Sequence, residues 1–204
     1  MEEASSRGGG LRVFQIRVHG RGGQGVVTTA ELLSVAAFLD GHEAQAFPSF
    51  GSERMGAPVM AFCRIDHVPI RVREPVAEPD AVIVSDPTLL HHVAVFAGLD
   101  PDGYVLINST HGWEELGLAD LHESHRPERL VTVPATEIAR RYTGRPLPNA
   151  CLLGAFVALT GVVAMDCVEQ AIRERFSTRV AEGNIAAALA AYERAGAREE
   201  ALDA

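Results

Sequence analysis

The sequence predicts an α/β fold: a single domain with a mostly parallel sheet, helices on both faces and a Rossmann-like glycine turn after the first strand. Three observations predict it. Short apolar runs bounded by acids or glycines alternate with longer, almost wholly apolar stretches, as buried strands alternate with buried helices. The segment RVHGRGGQGVVTTAELL sets Gly20, Gly22 and Gly25 between an alternating run and an apolar one. The chain's 204 residues, 47% of them apolar, suit one domain with a sizeable core.

The elements follow in order. Residues 1–13, acidic and then glycine-rich, read as a flexible lead. Phe14, Ile16 and Val18 alternate as in a strand. From Val26 to Leu39 the chain lacks Gly and Pro and is nearly all apolar, which predicts a buried helix stopped by Gly41. A short strand over 43–47 follows, then the polar loop PSFGSERMGAP. VMAFCRI is a strand, and HVPIRV is expected to pair back on it as a hairpin. DAVIVSD suits a buried parallel strand. Asp86 then caps a helix that opens with Pro87 and runs to about Ala97. GYVLINS is another core strand. HGWEELGLADLHESHRPERL reads as a surface excursion. LVTVPA is a further strand and ATEIARRY a short helix. An apolar helix spans 149–165, and amphipathic helices lie near 168–176 and 185–195. The domain is expected to span 14–197, with 198–204 as a tail.

Charge and composition narrow the function. A formal net charge of −9 argues against a nucleic-acid partner, which a basic face would attract. No run of about 18 apolar residues suggests a membrane span. The start of the chain lacks the apolar core of a secretory signal, so a cytoplasmic protein is expected. Cys63, Cys151 and Cys167 are scattered without a C-x-x-C pair, reading as separate reduced thiols and not as a cluster or zinc site. His91 and His92 are sequence neighbours, not an i, i+4 pair, so no metal is expected. His19, inside the first strand, reads as a core histidine.

The glycine turn has several readings. Glycines permit a tight turn and let a ligand reach backbone amides at a helix N-terminus, where an anion is favoured. A dinucleotide enzyme also needs an acid about twenty residues on, at the end of its second strand. Here Glu43 stands at the start of that strand, and the far end is Phe47-Pro48. The glycines equally serve close packing of helix on strand. Gln24, a long amide at the turn, is either a ligand or partner contact or a solvated side chain.

GRGGQGVVTTAELL, SFGSERMGAPVMAFCRI and PNACLLGAFVAL, in that order, resemble the gamma subunit of the 2-oxoacid:ferredoxin oxidoreductases, the pyruvate and ketoisovalerate oxidoreductase family. The likeness runs from about Phe14 to Ala195. The second segment departs from the family's usual Tyr-Gly-Pro-Glu and Arg-Gly-Gly, reading Phe50-Gly51-Ser52-Glu53-Arg54-Met55-Gly56 instead, which bears on substrate class.

The resemblance implies a multi-subunit enzyme that oxidatively decarboxylates a 2-oxoacid to an acyl-coenzyme A and passes electrons to ferredoxin or another acceptor. It implies thiamine diphosphate, Mg and [4Fe-4S] clusters in partner chains: alpha and beta subunits, the latter binding thiamine diphosphate, and a ferredoxin-like iron–sulfur subunit. Coenzyme A is the co-substrate. This chain alone is expected to hold no cofactor and to be inactive.

The candidate binding residues are Gly20, Gly22, Gly23, Gln24 and Gly25 at the end of the first strand; Ser52, Glu53 and Arg54 in the loop between prolines; Asn108, with Ser109 and Thr110, at the end of a core strand; and Asn149. Arg54 has a fork suited to carboxylate or phosphate, which Glu53 would steady. Asn149 is either a helix N-cap or an interface residue. No residue stands out as catalytic. The rival readings are an NAD(P)-dependent oxidoreductase and a purely structural interaction subunit.

Overall fold

The computed structural model of the chain describes residues 13–49 and 55–202, with side chains as far as residue 197. Residues 1–12 of the expected flexible lead and the Ser52-Glu53-Arg54 loop lie outside the described residues.

Six strands form one sheet: β1 (Phe14–Arg21), β2 (Glu43–Pro48), β3 (Pro58–Asp66), β4 (Ala81–Val84), β5 (Tyr104–Asn108) and β6 (Leu130–Val133). Their spatial order is β2-β3-β1-β4-β5-β6. β1, β4, β5 and β6 pair in parallel, while β3 runs antiparallel to both β1 and β2. The carboxyl ends of β1, β4, β5 and β6 therefore share one edge, where open α/β sheets bind ligands.

Among the described residues six α-helices accompany them: α1 (Val26–Leu39), α2 (Ala119–Ser124), α3 (Ala135–Thr143), α4 (Asn149–Thr160), α5 (Met165–Arg175) and α6 (Thr178–Leu202). Strand alternation sorts the core into two layers. Ile16, Val18, Cys63, Ile83, Leu106 and Val131 face α1, α3, α4, α5 and α6. Val82, Val84, Val105, Ile107 and Leu130 face the opposite way, onto Leu89, Val95, Trp113 and the α2 region. Both faces are covered, but the long helices all pack on the first.

α1 stops as its sequence predicts. Gly41 takes φ +85°, its amide bonds to the Phe38 carbonyl, and the His42 amide bonds back to Ala37. This is a Schellman closure, which needs a left-handed residue at that point.

Several expectations are corrected. The helix from Pro87 is a 3₁₀ turn, Pro87–His91, followed by turns, although Asp86 does cap it by accepting the Thr88 amide at 3.0 Å. HVPIRV forms no hairpin. Its segment crosses the sheet as a strap, with the carbonyls of Val72 and Glu74 taken by buried Arg64 and those of Val76 and Ala77 by buried Arg17. The charged excursion is anchored by Trp113, only 6% exposed. Asn149 is not the N-cap of α4. Pro148 holds that position, and no side chain caps the helix.

Candidate functional site

The glycine turn joins β1 to α1 at the shared carboxyl edge. Gly20 is required by close packing, because a Cβ there would lie 2.5 Å from Cγ2 of Val26. Gly23 and Gly25 take φ of +94° and +77°, a region that side chains disfavour. Gly22 pairs with the chain at Met55. Its amide donates to the Ala57 carbonyl at 2.9 Å, and its carbonyl accepts from the Gly56 amide at 3.1 Å.

Gly25 caps α1 from the left-handed region without a side-chain bond. The helix ladder starts with the Thr29 amide on the Gly25 carbonyl, so the amides of Val26, Val27 and Thr28 have no helical partner. These residues line a cleft of about 480 Å³ together with Arg21, Gly23 and Met55. Met55 is 86% exposed and hangs over Gly23. The cleft thus opens onto a helix N-terminus, which attracts negative charge, with Arg21 in its lining.

Gln24 does not reach into this cleft to serve a ligand alone. Its Oε1 accepts the Arg21 amide at 2.8 Å, and its Nε2 donates to Oδ2 of Asp86 at 2.8 Å. Arg21 in turn sets Nε 3.3 Å from the same carboxylate oxygen, donates to Thr88 Oγ1, and donates from Nη1 to the Gly56 carbonyl at 3.0 Å. Partial burial pushes the Asp86 carboxyl up, but hydrogen bonds from Thr88 and Gln24 and the charge of Arg21 outweigh it and hold the group below its ordinary range.

Asn108 is also engaged within the chain. Its Nδ2 donates to the Ser85 carbonyl and Thr136 Oγ1, both at 2.8 Å, and its Oδ1 accepts the Thr136 amide. It ties the ends of β4 and β5 to α3. Asn149 is 8% exposed and adjoins the turn, its Nδ2 lying 3.2 Å from where a Gly25 Cβ would be. The structure therefore brings Gly20, Gly22, Gly23, Gln24, Gly25 and Asn149 together, with Asn108 along the same edge.

Arg21, Asp86, Thr88 and Met55 belong to this site, and sequence reasoning passed them over. Asp86 carried a signal as the cap before Pro87, but a cap needs only the Thr88 amide. Nothing local in the sequence discloses its bond to Gln24.

The sheet order bears on dinucleotide binding. In the Rossmann arrangement the second strand lies beside the first, and its end brings an acid to the ribose. Here antiparallel β3 separates β2 from β1, and Glu43 stands at the opening of β2, away from the carboxyl edge. Among the described residues no acid stands at the end of β2 for the second half of that site.

The thiols suit no thiolate ligation. Cys63 and Cys151 sit in the core, where burial pushes each up to about 12. Among the described residues no group of three or more His, Cys, Asp or Glu side chains is placed to hold a metal.

A family model described as pyruvate ferredoxin/flavodoxin oxidoreductase matches residues 15–194. The pyruvate/ketoisovalerate oxidoreductases common subunit gamma of Pyrococcus furiosus is 47% identical over 182 residues, covering 89% of this chain and 97% of that one. The pyruvate synthase subunit PorC of Methanosarcina barkeri is 50% identical over 159 residues, or 78% of this chain and 84% of its own. Among solved structures, the pyruvate oxidoreductase subunit PORC of Thermotoga maritima superposes with a TM-score of 0.75 at 36% identity, covering 89% of this chain and 96% of that one. With residues 15–194 matched by the family model and gamma-type relatives about half identical over most of their length, the chain belongs to the pyruvate ferredoxin/flavodoxin oxidoreductase family as one of its gamma-type subunits.

Proposed function

We propose that this chain is the gamma subunit of an assembled, coenzyme A-acylating 2-oxoacid oxidoreductase, and that its glycine edge forms part of the coenzyme A and active-site face. The observation that carries the reading is the cleft at the carboxyl edge, where the N-terminus of α1, its first amides without a helical partner, opens beside left-handed glycines and Arg21. That set suits a phosphate or carboxylate group. Residues 14–197 are the domain that presents it.

Alpha and beta subunits and a ferredoxin-like iron–sulfur subunit are the partners, and the assembly works in the cytoplasm. Thiamine diphosphate with Mg, and the [4Fe-4S] clusters, are held by those partners and supply the decarboxylation and electron-transfer chemistry. This chain's own part is to bind and orient. The α1 amides take an anionic group of the incoming thiol co-substrate, Arg21 adds charge, and Met55 screens the cleft from water. The isolated chain turns over nothing.

The test is Gly22→Leu in the reconstituted complex. The expected result is an intact assembly with turnover down about tenfold or more, the scale on which lost orientation is felt. Unchanged turnover would refute the assignment. The engagement of Gln24 and Asn108 inside the chain favours a second reading, a subunit that only holds partners together. Acceptor-reduction assays with and without the chain, at fixed cofactor loading, separate the two.

A further inference from the structure

We infer that Asp86 is a positioning residue whose carboxylate clamps the glycine turn, the start of the 3₁₀ turn and the segment 55–57 into one arrangement at the mouth of the cleft.

An N-cap aspartate needs one bond, from an amide two or three residues on. Asp86 makes that bond and three more. Oδ1 accepts the Thr88 amide at 3.0 Å and the Thr88 hydroxyl at 2.6 Å. Oδ2 accepts Gln24 Nε2 at 2.8 Å and pairs with Arg21 Nε at 3.3 Å. Each added partner belongs to the glycine turn or leads to another segment. Through Gln24, whose Oε1 holds the Arg21 amide, the carboxylate fixes the turn that precedes α1. Through Arg21, whose Nη1 donates to the Gly56 carbonyl, it reaches the chain that covers the turn. Two backbone bonds between Gly22 and residues 56–57 complete the clasp.

The clamp accounts for the type of residue at position 24. Glutamine offers an acceptor to the Arg21 amide and a donor to Asp86 at once. Glutamate would set two carboxylates face to face. Asparagine at position 86 would turn an amide donor toward Gln24 Nε2 and Arg21 Nε. Exchanging the two groups restores the match between positions 24 and 86, leaving only Arg21 Nε opposite a donor: an amide at 86 donates to a carboxylate at 24, which still accepts the Arg21 amide, and the net charge is unchanged.

Asp86→Asn, Gln24→Glu and the double variant, each in the full chain and in the reconstituted complex, test this. In the full chain, exchange of the hydrogen-bonded amides of Arg21, Gly22, Gln24 and Gly56 is expected to quicken about tenfold in either single variant and to return to within about threefold in the double variant, while β5 and β6 stay protected. In the complex, each single variant is expected to raise KM for coenzyme A about tenfold with kcat within about threefold, and the double variant to recover it. Unaltered exchange at Gly56 in Asp86→Asn, or a double variant no better than the singles, overturns the clamp.

The kinetic part rests on the proposed function and the exchange part does not. Faster exchange and rescue with unchanged KM would uphold the clamp and overturn the ligand-facing reading of the glycine edge.

Discussion

Along β1, Ile16 and Val18 point into the helical layer, while Arg17 and His19 point into the other and are equally buried. Arg17 spends its donors on backbone carbonyls of Val76, Ala77, Val95 and Ala97, and its Nε donates to His19 Nε2 at 3.0 Å. That bond requires neutral His19. Desolvation and the Arg17 charge lower its pKa from 6.5 to about 4, against a raising backbone bond at Val95. A folded pKa below the unfolded value gives stability that is present above 6.5 and lost as pH falls toward 4. A shift of that size corresponds to roughly 3 kcal/mol in total. Thermal melts from pH 7.5 to pH 4 are therefore expected to fall more steeply for the natural chain than for His19→Gln; equal slopes would contradict this. His19 as a core residue was legible from its place in a strand. Its donor, two residues away on the same strand face, was not, because Arg17 reads by itself as a solvated charge. Gln24 and Asn108 show the same limit. Their chemistry and edge position were readable, but the groups that occupy them lie 62 and 23 residues away.

Helix α4 is apolar on every side because it lies inside the molecule, between the sheet and α6. The two helices come close at Gly154, where a Cβ would fall 2.0 Å from the Ala188 carbonyl oxygen. Backbone cannot yield cheaply there, so Gly154→Ala is expected to cost about 3 kcal/mol, near the upper end for overpacking. Gly196, in α6 with open space around it, is the control: Gly196→Ala is expected to gain about 0.5–1 kcal/mol from helix propensity. Urea denaturation measures both. On the opposite layer, Trp113 is the chain's single tryptophan and stacks on His122. Trp113→Ala is expected to cost about 3–5 kcal/mol. These elements sort by how far their determinants extend. Strands and long apolar helices declared themselves through period and run length. The strap over 67–80 and the turns after Pro87 did not, because buried Arg17 and Arg64 bind their carbonyls, and local propensity is blind to such partners, 8 and 10 residues away for Arg64 and 59 to 80 for Arg17.

At the scale of the whole molecule, sheet order decides between ligand classes more firmly than the glycine motif does. Four parallel strands end at one edge, and the antiparallel β3 pushes β2 out to the far side. The motif alone allowed a dinucleotide; the order sets β2 away from β1, so that among the described residues no acid stands beside the turn where a dinucleotide needs one. Among the described residues no helix is long and apolar enough to cross a membrane. The family was legible from three segments in sequence order. The central claim is that the α1 amides and left-handed glycines face the reaction centre assembled from other chains. The direct measurement is a map of the holoenzyme with coenzyme A bound. An anionic ligand group or a partner surface is expected within hydrogen-bonding distance of residues 22–28. The same edge open to bulk solvent, distant from every ligand and neighbouring chain, would contradict it.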